Sequence, residues 1–320
     1  MTGLRVGVLG CADIVWRRMG SALVAAPGVD VVAMASRTPD RSRRFADRFG
    51  CAAETYGGLV GRSDVDAVYV ALPPALHAEW AHRVLAAGKH ALVEKPLTRT
   101  HEEAAALFRQ ADERGLVVME SFMFLHHSQH QAVATMVAEG AIGELRGFTG
   151  TFTMPPRPPD DFRYDTAMGD GALEFGVYPL RAALHHLGPD LALVGAVLRR
   201  ENTVLAGDVL LCDPRGVPAH LRFGMDHPYR TGYELTGSTG VLTLDRAFTP
   251  PPSHRPVVRV ERQDHREELV LPGDDHFANI LATFVDAVRG VADLSAWTRT
   301  SLTQAALVDT ILAEARVVGR

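Results

Sequence analysis

Near-continuous apolar runs alternate with amphipathic stretches over the first 120 residues of the chain. The runs predict strands at Leu4–Leu9, Val29–Ala35, Asp66–Ala71, His90–Glu94 and Leu116–Glu120. The intervening stretches predict helices at Ile14–Ala25, from Pro39 through Phe49, at Ala75–Ala87 and at Thr100–Arg114. Strands that are apolar on both faces and alternate with helices are typical of a parallel sheet covered on both sides. Right-handed crossovers then predict an α/β fold with a doubly wound, nucleotide-binding (Rossmann) sheet.

The pattern changes after about residue 123. A helical pattern over Asp170–Leu187 precedes strand-like runs at Leu191–Arg199, Asp208–Cys212, Pro218–Phe223, Gly232–Thr236, Gly240–Asp245, Val257–Arg262 and Glu267–Leu271. Further helices are predicted at Asp275–Arg289 and Thr300–Val318, and the proline-rich segment 155–161 predicts a loop. Consecutive strands with short turns favour an antiparallel sheet. We therefore predict a dinucleotide-binding domain over residues 1–122 and, over residues 123–320, an α+β domain with a large open antiparallel sheet for substrate binding and oligomerisation.

The composition is that of an ordinary globular protein, with 47% hydrophobic and 22% charged residues. A net charge of −5 argues against an extended face for nucleic acid. No apolar run reaches the ~20 residues of a membrane helix, and the first residues lack the layout of a signal peptide, so we expect a cytoplasmic protein. Three scattered cysteines, and the lack of His, Cys and carboxylate residues at ligand spacing, predict neither a disulfide framework nor a metal site.

The first predicted strand leads into a turn that could hold a dinucleotide. The turn comprises Gly10, Cys11, Ala12, Asp13 and Ile14. At such a strand-to-helix turn a pyrophosphate accepts hydrogen bonds from backbone N–H groups. The usual fingerprint would also have glycines at positions 12 and 15, whereas this chain has Ala12 and Val15. Ala12 is small enough for a phosphate to approach, but Val15 puts the close packing of the helix in question, and an ordinary tight turn remains the alternative.

The residues after the second predicted strand indicate which dinucleotide would bind. NAD-preferring sites place Asp or Glu there, to accept hydrogen bonds from the ribose hydroxyls. This chain has Ser36 and Arg37, with Arg41 one helical turn later. A guanidinium binds a 2′-phosphate through charge-assisted, often bidentate, hydrogen bonds. The sequence therefore favours NADP(H), and the alternative is that the two arginines only solvate the start of a helix.

Glu94-Lys95-Pro96 follows another predicted strand, at the carboxyl edge where such sheets bind ligands. A lysine there would lie near the nicotinamide, and partial burial beside a cationic ring would lower its pKa and favour proton exchange near neutral pH. Pro96 fixes the direction of the chain directly after it. Lys89 and Lys95 are the only lysines in the sequence. An ordinary surface lysine is the alternative interpretation.

Further segments complete a set of motifs. They are Ala71-Leu72-Pro73-Pro74 with His77, Glu120-Ser121-Phe122-Met123 and Glu174-Phe175-Gly176-Val177-Tyr178-Pro179. Together with the glycine turn, Ser36-Arg37 and Glu94-Lys95-Pro96, they make essentially the whole chain resemble the glucose–fructose oxidoreductase, inositol dehydrogenase and rhizopine-catabolism (Gfo/Idh/MocA) family. The resemblance implies a nucleotide-binding domain followed by an open-faced antiparallel sheet, which is the order that the hydrophobic pattern predicts.

The resemblance also implies roles for residues of the first domain. Lys95 matches the catalytic lysine of the family, and the resemblance implies that it contacts both cofactor and substrate. The cofactor-binding residues implied on the glycine turn and after the second strand are those named above. To them the resemblance adds Leu72, Pro73, His77, Glu94 and Lys95.

In the second domain, many members of the family carry Asp-x-x-x-His on the long helix. This chain has Glu174 and Tyr178 at the matching places, four residues apart and so on one helix face. A phenol can donate a proton to a developing alkoxide. The resemblance thus assigns Lys95 and Tyr178 as catalytic, assigns Lys95, Met123, Glu174 and Tyr178 as substrate-binding, and leaves open which of Lys95 and Tyr178 donates the proton.

Two departures concern the substrate. Leu125 stands where many relatives have Arg, and Ser128 where they have Pro. Leu125 removes a possible anchor for a polar substrate, so recognition in known relatives does not transfer directly. His126 and His127 could contact substrate, but adjacent side chains point in different directions, so at most one of them is expected to do so.

The tyrosine form of the site and Arg37 resemble NADP-dependent C-3 ketoreductases of dTDP-deoxysugar (kijanose-type) biosynthesis. We therefore expect reduction by NADPH of the C-3 keto group of a dTDP-linked 3-keto-deoxyhexose, whose diphosphate could meet Arg157 and Arg163. The alternatives are an NADP-dependent dehydrogenase of a free sugar, polyol or trans-dihydrodiol, and an NADP-binding regulatory protein without catalysis. The open sheet is expected to have an apolar outer face, which predicts a homodimer or homotetramer.

Overall fold

The computed structural model describes residues 3–319, which form two compact units. The first unit contains the residues up to Met123 together with Phe277–Leu302. The second contains Phe124–His276 and the residues from Thr303 onward. The chain thus passes from one unit to the other after residues 123, 276 and 302, whereas the division predicted from the sequence has a single boundary between residues 122 and 123.

The first unit contains a parallel sheet whose strand order, within residues 3–319, is β3-β2-β1-β4-β5-β6. The strands are β1 (Leu4–Leu9), β2 (Val29–Ala35), β3 (Ala52–Glu54), β4 (Ala67–Val70), β5 (His90–Glu94) and β6 (Val118–Ser121). The order reverses between β1 and β4, and at such a switch point the carboxyl ends of the strands open a crevice for ligands. This confirms the doubly wound sheet. The sequence pattern missed β3 because three residues are too short to show a period.

Helices cover both faces of this sheet. They are α1 (Gly20–Ala25), preceded by a π-helical turn at Val15–Met19, α2 (Pro39–Phe49), α3 (Tyr56–Gly61), α4 (His77–Ala86) and α5 (His101–Glu113). A Cβ at Gly20 would lie 2.4 Å from the ring of Phe49, so α1 and α2 pack closely at this position. The glycine that permits close helix packing is therefore Gly20, and Val15 is instead a fully buried core residue.

The sheet of the second unit is mixed, mostly antiparallel, with the order β14-β13-β12-β11-β7-β10-β9-β8-β15 over the described part of the chain. Its strands are β7 (Leu145–Thr153), β8 (Ala192–Arg200), β9 (Val204–Cys212), β10 (Pro218–Gly224), β11 (Arg230–Gly237), β12 (Val241–Asp245), β13 (Val257–Arg262), β14 (His265–Val270) and β15 (Arg316–Val318). Most neighbours are antiparallel, which confirms the predicted open sheet. The pairs β7–β10 and β8–β15 are parallel, and the local pattern did not predict them.

The remaining helices are α6 (Ser128–Ala138), α7 (Leu173–Leu187), α8 (His276–Val288) and α9 (Ser295–Glu314). The predicted last helix, Thr300–Val318, was wrong at its end, because Arg316–Val318 leaves the helix and pairs with β8. Helix α7 lies directly on the sheet: a Cβ at Gly176 would meet the ring of Phe223 at 2.8 Å, and one at Gly150 would meet Pro179 at 2.8 Å. These two glycines bring the helix close to β7 and β10.

The face of this sheet that points away from α7 is mostly polar. One row of cross-strand neighbours on it runs through Leu210, His220, Thr149, Glu234, Thr243, Arg259 and Glu268. Arg222 pairs with Asp208 at 2.8 Å, and Arg259 pairs with Glu268 at 3.1 Å. The expected apolar outer face is therefore wrong for most of the sheet. Exposed apolar side chains do occur near one edge of the sheet, at Val194 and Val197 on β8 and at Leu210 on β9. Exposed Val317 on β15 pairs with buried Leu198, so it lies on the other face.

Candidate active site

The glycine turn lies where the sheet order of the first unit reverses. Gly10 has a φ of +113° and donates a hydrogen bond from its N–H to the carbonyl oxygen of Ala35, at the end of β2 (3.0 Å). A Cβ at this position would lie 2.1 Å from the carbonyl oxygen of Ala71, just after β4. Only glycine fits between the two strand ends without strain. Three backbone segments therefore lie in close contact at the switch point: the glycine turn and the ends of β2 and β4.

The helix that follows begins immediately after the turn. The N–H of Trp16 donates to the carbonyl oxygen of Ala12 (3.1 Å), so the helical hydrogen bonds start at this residue. The first N–H groups of a helix have no partner within it, and they attract an anion. Ala12 and Ile14 are half-buried and Asp13 is exposed, so this helix start is accessible. The geometry suits a pyrophosphate.

Cys11 has a mainly structural position in this turn. Its thiol donates to the carbonyl oxygen of Ala35 (3.6 Å), and its own carbonyl oxygen accepts from Nε of Arg41 (2.8 Å). Burial raises the pKa of the Cys11 thiol to about 11, so the sulfur stays protonated and uncharged at neutral pH. The Arg41 contact ties the start of α2 to the glycine turn.

The residues predicted to distinguish NADP from NAD lie just after β2. Ser36 is buried and its hydroxyl accepts from the N–H of Thr38 (3.4 Å), whereas Arg37 is exposed. Tyr56 was missed by the sequence reasoning: its hydroxyl bonds to the backbone of Arg37, and burial raises its pKa although Arg37 acts against this shift. Tyr56 is the first residue of α3. The sequence pattern did not predict this helix, because three of its six residues are glycine. Its ring meets Trp80 edge-on, with 5.2 Å between the ring centroids.

His77 is almost completely buried, and its two ring nitrogens lie close to backbone carbonyl groups. Nε2 is 2.8 Å from the carbonyl oxygen of Leu72, and Nδ1 is 2.7 Å from that of Pro96. Burial lowers the pKa of His77 to about 4, although the two carbonyls favour the charged form. The imidazole thus links the segment after β4, which carries Leu72 and half-exposed Pro73, to the segment after β5.

Glu94 is the last residue of β5, and Lys95 is the first residue of the loop after it. Both residues are half-buried. The hydroxyl of Tyr69, on the neighbouring strand β4, donates to Oε1 of Glu94 at 2.5 Å. Desolvation raises the pKa of the Glu94 carboxyl, while Tyr69 and Lys95 act to lower it. The Lys95–Pro96 peptide bond is cis. Lys95 therefore lies at the carboxyl edge of the sheet, one strand from the switch point, as the sequence predicts.

Tyr178 lies in the middle of α7 and is 5% exposed. Its ring is surrounded by aromatic rings of the second unit: the centroid of Phe152 is 5.0 Å away, and those of Phe124 and Phe248 are each 5.7 Å away. Aromatic packing of this kind holds the ring in one orientation. Tyr178 and Lys95 belong to different compact units.

Glu174, one turn before Tyr178, is 3% exposed and faces Nε of Arg163 at 3.1 Å. Arg163 also pairs with Asp161 at 2.9 Å, and Arg157 pairs with the same carboxylate at 3.0 Å. Burial acts to raise the pKa of Asp161, but these guanidinium groups outweigh it and lower the pKa below its usual value. The two arginines that could meet a diphosphate thus share an acidic partner inside the protein.

The segment after β6 begins with Met123, which is buried and starts the short 3₁₀ turn Met123–His126. Burial lowers the pKa of His126 to about 4. His127 is 1% exposed and caps α6, because its Nδ1 accepts from the N–H of Gln129 (3.2 Å). The geometry therefore gives His127 a structural role.

Two general properties concern residues 3–319. None of their helices combines the length and the apolar character needed to cross a membrane. Nowhere in this part of the chain do three or more His, Cys, Asp or Glu side chains come together so that they could hold a metal ion.

The two units match two family models. A model described as an oxidoreductase family with an NAD-binding Rossmann fold (GFO/IDH/MocA) matches residues 4–122. A model of the GFO/IDH/MocA C-terminal domain matches residues 130–243. Together the two models span most of the chain, including nearly every residue that the sequence motifs single out.

Individual proteins are similar over nearly the full length. A dTDP-3,4-didehydro-2,6-dideoxy-alpha-D-glucose 3-reductase from Actinomadura kijaniata is 53% identical over 98% of this chain and 96% of its own. A reductase of the same name from Streptomyces antibioticus is 51% identical over 98% of both chains. The crystal structure of a 3-ketoreductase from Actinomadura kijaniata, in complex with NADP and TDP-benzene, superposes with a TM-score of 0.98 at 52% identity and covers 100% of each chain.

Proposed function

This chain belongs to the Gfo/Idh/MocA oxidoreductase family, and we propose that it reduces the C-3 keto group of a dTDP-linked 3-keto-deoxyhexose with NADPH. The observation that carries the proposal is the identity of more than half of its residues to a 3-reductase of such a sugar. The expectation from the sequence and the similarity to relatives of known specificity agree on the reaction class, the cofactor and the type of substrate.

The residues of the first unit suit NADP(H). The accessible helix start after Gly10 offers backbone N–H groups to the pyrophosphate, and exposed Arg37 offers a guanidinium to the 2′-phosphate. Ser36 stands where a carboxylate would repel that phosphate. When bound, NADPH supplies the hydride that reduces the carbonyl carbon. The other proposed contacts are those of Leu72, Pro73, His77 and Glu94.

The protein's own part in the reaction is to supply a proton and to hold the substrate. The carbonyl carbon gains the hydride, and the carbonyl oxygen gains a proton, so that a ketone becomes a secondary alcohol. We assign the proton to the hydroxyl of Tyr178, whose ring is fixed by its aromatic neighbours. Lys95 holds the developing alkoxide through a charge-assisted hydrogen bond. Tyr178 recovers its proton from solvent before the next turnover.

Substrate recognition is assigned to Met123, Glu174, Lys95 and Tyr178. The Glu174 carboxylate is oriented by Arg163 and can accept a hydrogen bond from a sugar hydroxyl. Arg157 and Arg163, which share Asp161, are the proposed cationic groups for the diphosphate. Leu125 leaves the recognition of the hexose to groups other than the arginine found in many relatives.

We further propose a homodimer or homotetramer in the cytoplasm. Exposed Val194, Val197 and Leu210 lie on two neighbouring strands near one edge of the large sheet, and apolar groups placed together in this way favour burial by another subunit. The cytoplasmic location is proposed because NADPH and nucleotide-linked sugars are metabolites of that compartment.

A substrate comparison tests the proposed reaction. The purified protein is incubated with NADPH and a dTDP-3-keto-deoxyhexose, and the loss of NADPH absorbance is followed. We expect turnover with this substrate, and transfer of deuterium from 4-deuterated NADPH to C-3 of the product. Faster NADP⁺ reduction with a free sugar, a polyol or a trans-dihydrodiol would replace the proposal with a dehydrogenase. Tight NADPH binding without turnover on any of these compounds would point to a regulatory protein.

A further inference from the structure

Glu120 is a buried carboxylate close to the catalytic segment. It lies in β6 and is 1% exposed. Its Oε1 accepts a hydrogen bond from the N–H of Leu97 (2.9 Å), and its Oε2 accepts one from the hydroxyl of Ser301 in α9 (2.6 Å). The carbonyl oxygen of Glu120 accepts from the indole of Trp297 (3.1 Å). Glu120 thus joins the loop after β5 to the neighbouring strand and to α9.

The opposite side of the same loop is held by His77. Nδ1 of His77 lies 2.7 Å from the carbonyl oxygen of Pro96. The carbonyl of Pro96 and the N–H of Leu97 belong to one peptide group. That peptide group is therefore held on one side by an imidazole and on the other by a carboxylate, and both side chains are buried. It begins one residue after Lys95.

We propose that Glu120 and His77 are positioning residues that fix the Pro96–Leu97 peptide group and, through it, the direction in which Lys95 leaves the backbone. The inference rests on the proposed catalytic role of Lys95. Its support is the pair of contacts on one peptide, the burial of both side chains, and the position of Lys95 two residues before Leu97.

The physical reason lies in the lysine side chain. Four methylene groups make it flexible, so its ammonium reaches a defined position only if its Cα and backbone direction are fixed. A hydrogen bond from an N–H to a carboxylate is stronger than one to a neutral acceptor. A displacement of about 1 Å at a reacting group can cost about 10²-fold in rate. Loss of the Glu120 contact should therefore affect the chemical step more than the binding of NADPH.

Matched variants of Glu120 test this inference. Glu120→Ala removes the hydrogen bonds to Leu97 and Ser301, and we expect kcat to fall by about 10- to 100-fold, with little change in the KM for NADPH. In Glu120→Gln the amide oxygen can still accept from Leu97, and the amide group can donate to Ser301, so this variant should recover most of the rate. Ser301→Ala is the control, because it removes the contact to α9 and keeps the contact to Leu97. It should lower the melting temperature and change kcat only slightly.

A double-mutant comparison separates positioning from general damage. If Glu120 acts through Lys95, Glu120→Ala should slow hydride transfer in the parent protein and have no further effect in a Lys95→Ala background. An equal effect in both backgrounds, or an unchanged kcat in Glu120→Ala, would overturn the inference. Where Glu120→Ala does not fold, Glu120→Asp, which keeps the charge but shortens the reach, must lower kcat for the inference to stand. Full activity of Lys95→Ala would instead overturn the proposed function of the lysine.

Discussion

Arg41 donates a hydrogen bond from Nε to the carbonyl oxygen of Cys11 at 2.8 Å. The contact holds the glycine turn against the start of α2, so part of this guanidinium is engaged within the protein. Arg37 lies exposed just after β2. The two arginines that the sequence assigns together to the 2′-phosphate therefore differ. Arg41 stabilises the turn that both NADPH and NADH would use, and Arg37 is the better candidate for contact with the phosphate.

Replacing Arg37 should change cofactor preference. Loss of a charge-assisted hydrogen bond costs about 1.5–3 kcal/mol, so Arg37→Ala should weaken NADPH binding by about 10- to 150-fold and leave NADH binding nearly unchanged. Dissociation constants from fluorescence titration measure both. Arg43→Ala, which removes an exposed arginine of α2 that pairs with Asp40, is the control and should change neither. Equal weakening of NADPH and NADH in Arg37→Ala would contradict the assignment.

Removing the Tyr178 hydroxyl should affect the chemical step. Because the ring packs among Phe124, Phe152 and Phe248, Tyr178→Phe keeps the packing and removes only the hydroxyl. We expect kcat to fall by about 10²- to 10⁴-fold with NADPH affinity retained, and Lys95→Ala to be at least as damaging. Steady-state rates with the keto-sugar measure both variants.

The outcomes distinguish the two possible proton donors. A mild effect of Tyr178→Phe together with a severe effect of Lys95→Ala would assign the proton to the lysine. Full activity in both variants would remove the active-site assignment. Tyr233→Phe is a suitable control, because it removes the hydroxyl of another buried tyrosine, one that lies 3.0 Å from Nδ1 of His130. It should lower stability without a comparable loss of kcat.

Buried histidines should make the second unit sensitive to acid. Burial lowers the pKa of His126 to about 4 and that of His186 to about 3, and it holds the pKa of His130 well below 6.5, with His185, His186 and His127 further opposing its charge. The folded state therefore favours the neutral rings. The contribution of these neutral rings to the stability of the folded protein is complete above about pH 6.5. It is lost as the pH falls from there towards about 4.

Within that range, each such histidine should lower the free energy of unfolding by about 1.4 kcal/mol for every unit by which the pH falls. Urea unfolding at a series of pH values from neutral to acidic measures the slope. His186→Phe, which keeps a ring in contact with Tyr233 and removes one titrating group, should reduce the slope by about one proton. An unchanged slope in this variant would show that burial does not lower the pKa of His186.

Gly10 should tolerate no side chain. Its φ is +113°, and a Cβ at this position would lie only 2.1 Å from the carbonyl oxygen of Ala71, so Gly10→Ala must displace the turn. We expect the loss of binding of NADPH and NADH alike, together with a lower melting temperature. Gly57→Ala is the control, since a Cβ there would meet nothing within 4 Å, and it should leave binding unchanged. Normal cofactor affinity in Gly10→Ala would contradict the assigned position of the pyrophosphate.

The edge of the large sheet should mediate self-association. Light scattering at micromolar concentration should give the mass of a dimer or tetramer, and Val197→Asp with Leu210→Asp should lower it, because both side chains are exposed on neighbouring strands. Arg259→Ala, on the polar part of the same sheet, is the control. A monodisperse monomer for the parent protein would remove the proposal.

The sequence by itself predicted five of the six strands of the first sheet and the glycine turn that follows β1. The predicted bounds of β1, β2 and β5 agree with the structure, because strands in a parallel sheet covered on both faces have near-continuous apolar sequences. Gly10 and Lys95 could be placed because each follows directly on such a strand. The resemblance to the family came from motifs at those strand ends and on the long helix, and the type of reaction was predicted from Tyr178 on that helix and from Arg37.

Only the tertiary structure decided what lies far apart in the sequence. The parallel pairing of β15 with β8, which ends the last helix early, joins residues that are more than 100 positions apart, and no local period can show it. The contacts of Glu120 and His77 with one peptide group are of the same kind, since they depend on three separate loops or strands. Local patterns report which face of an element is buried, whereas hydrogen-bond partners are set by how the elements are brought together.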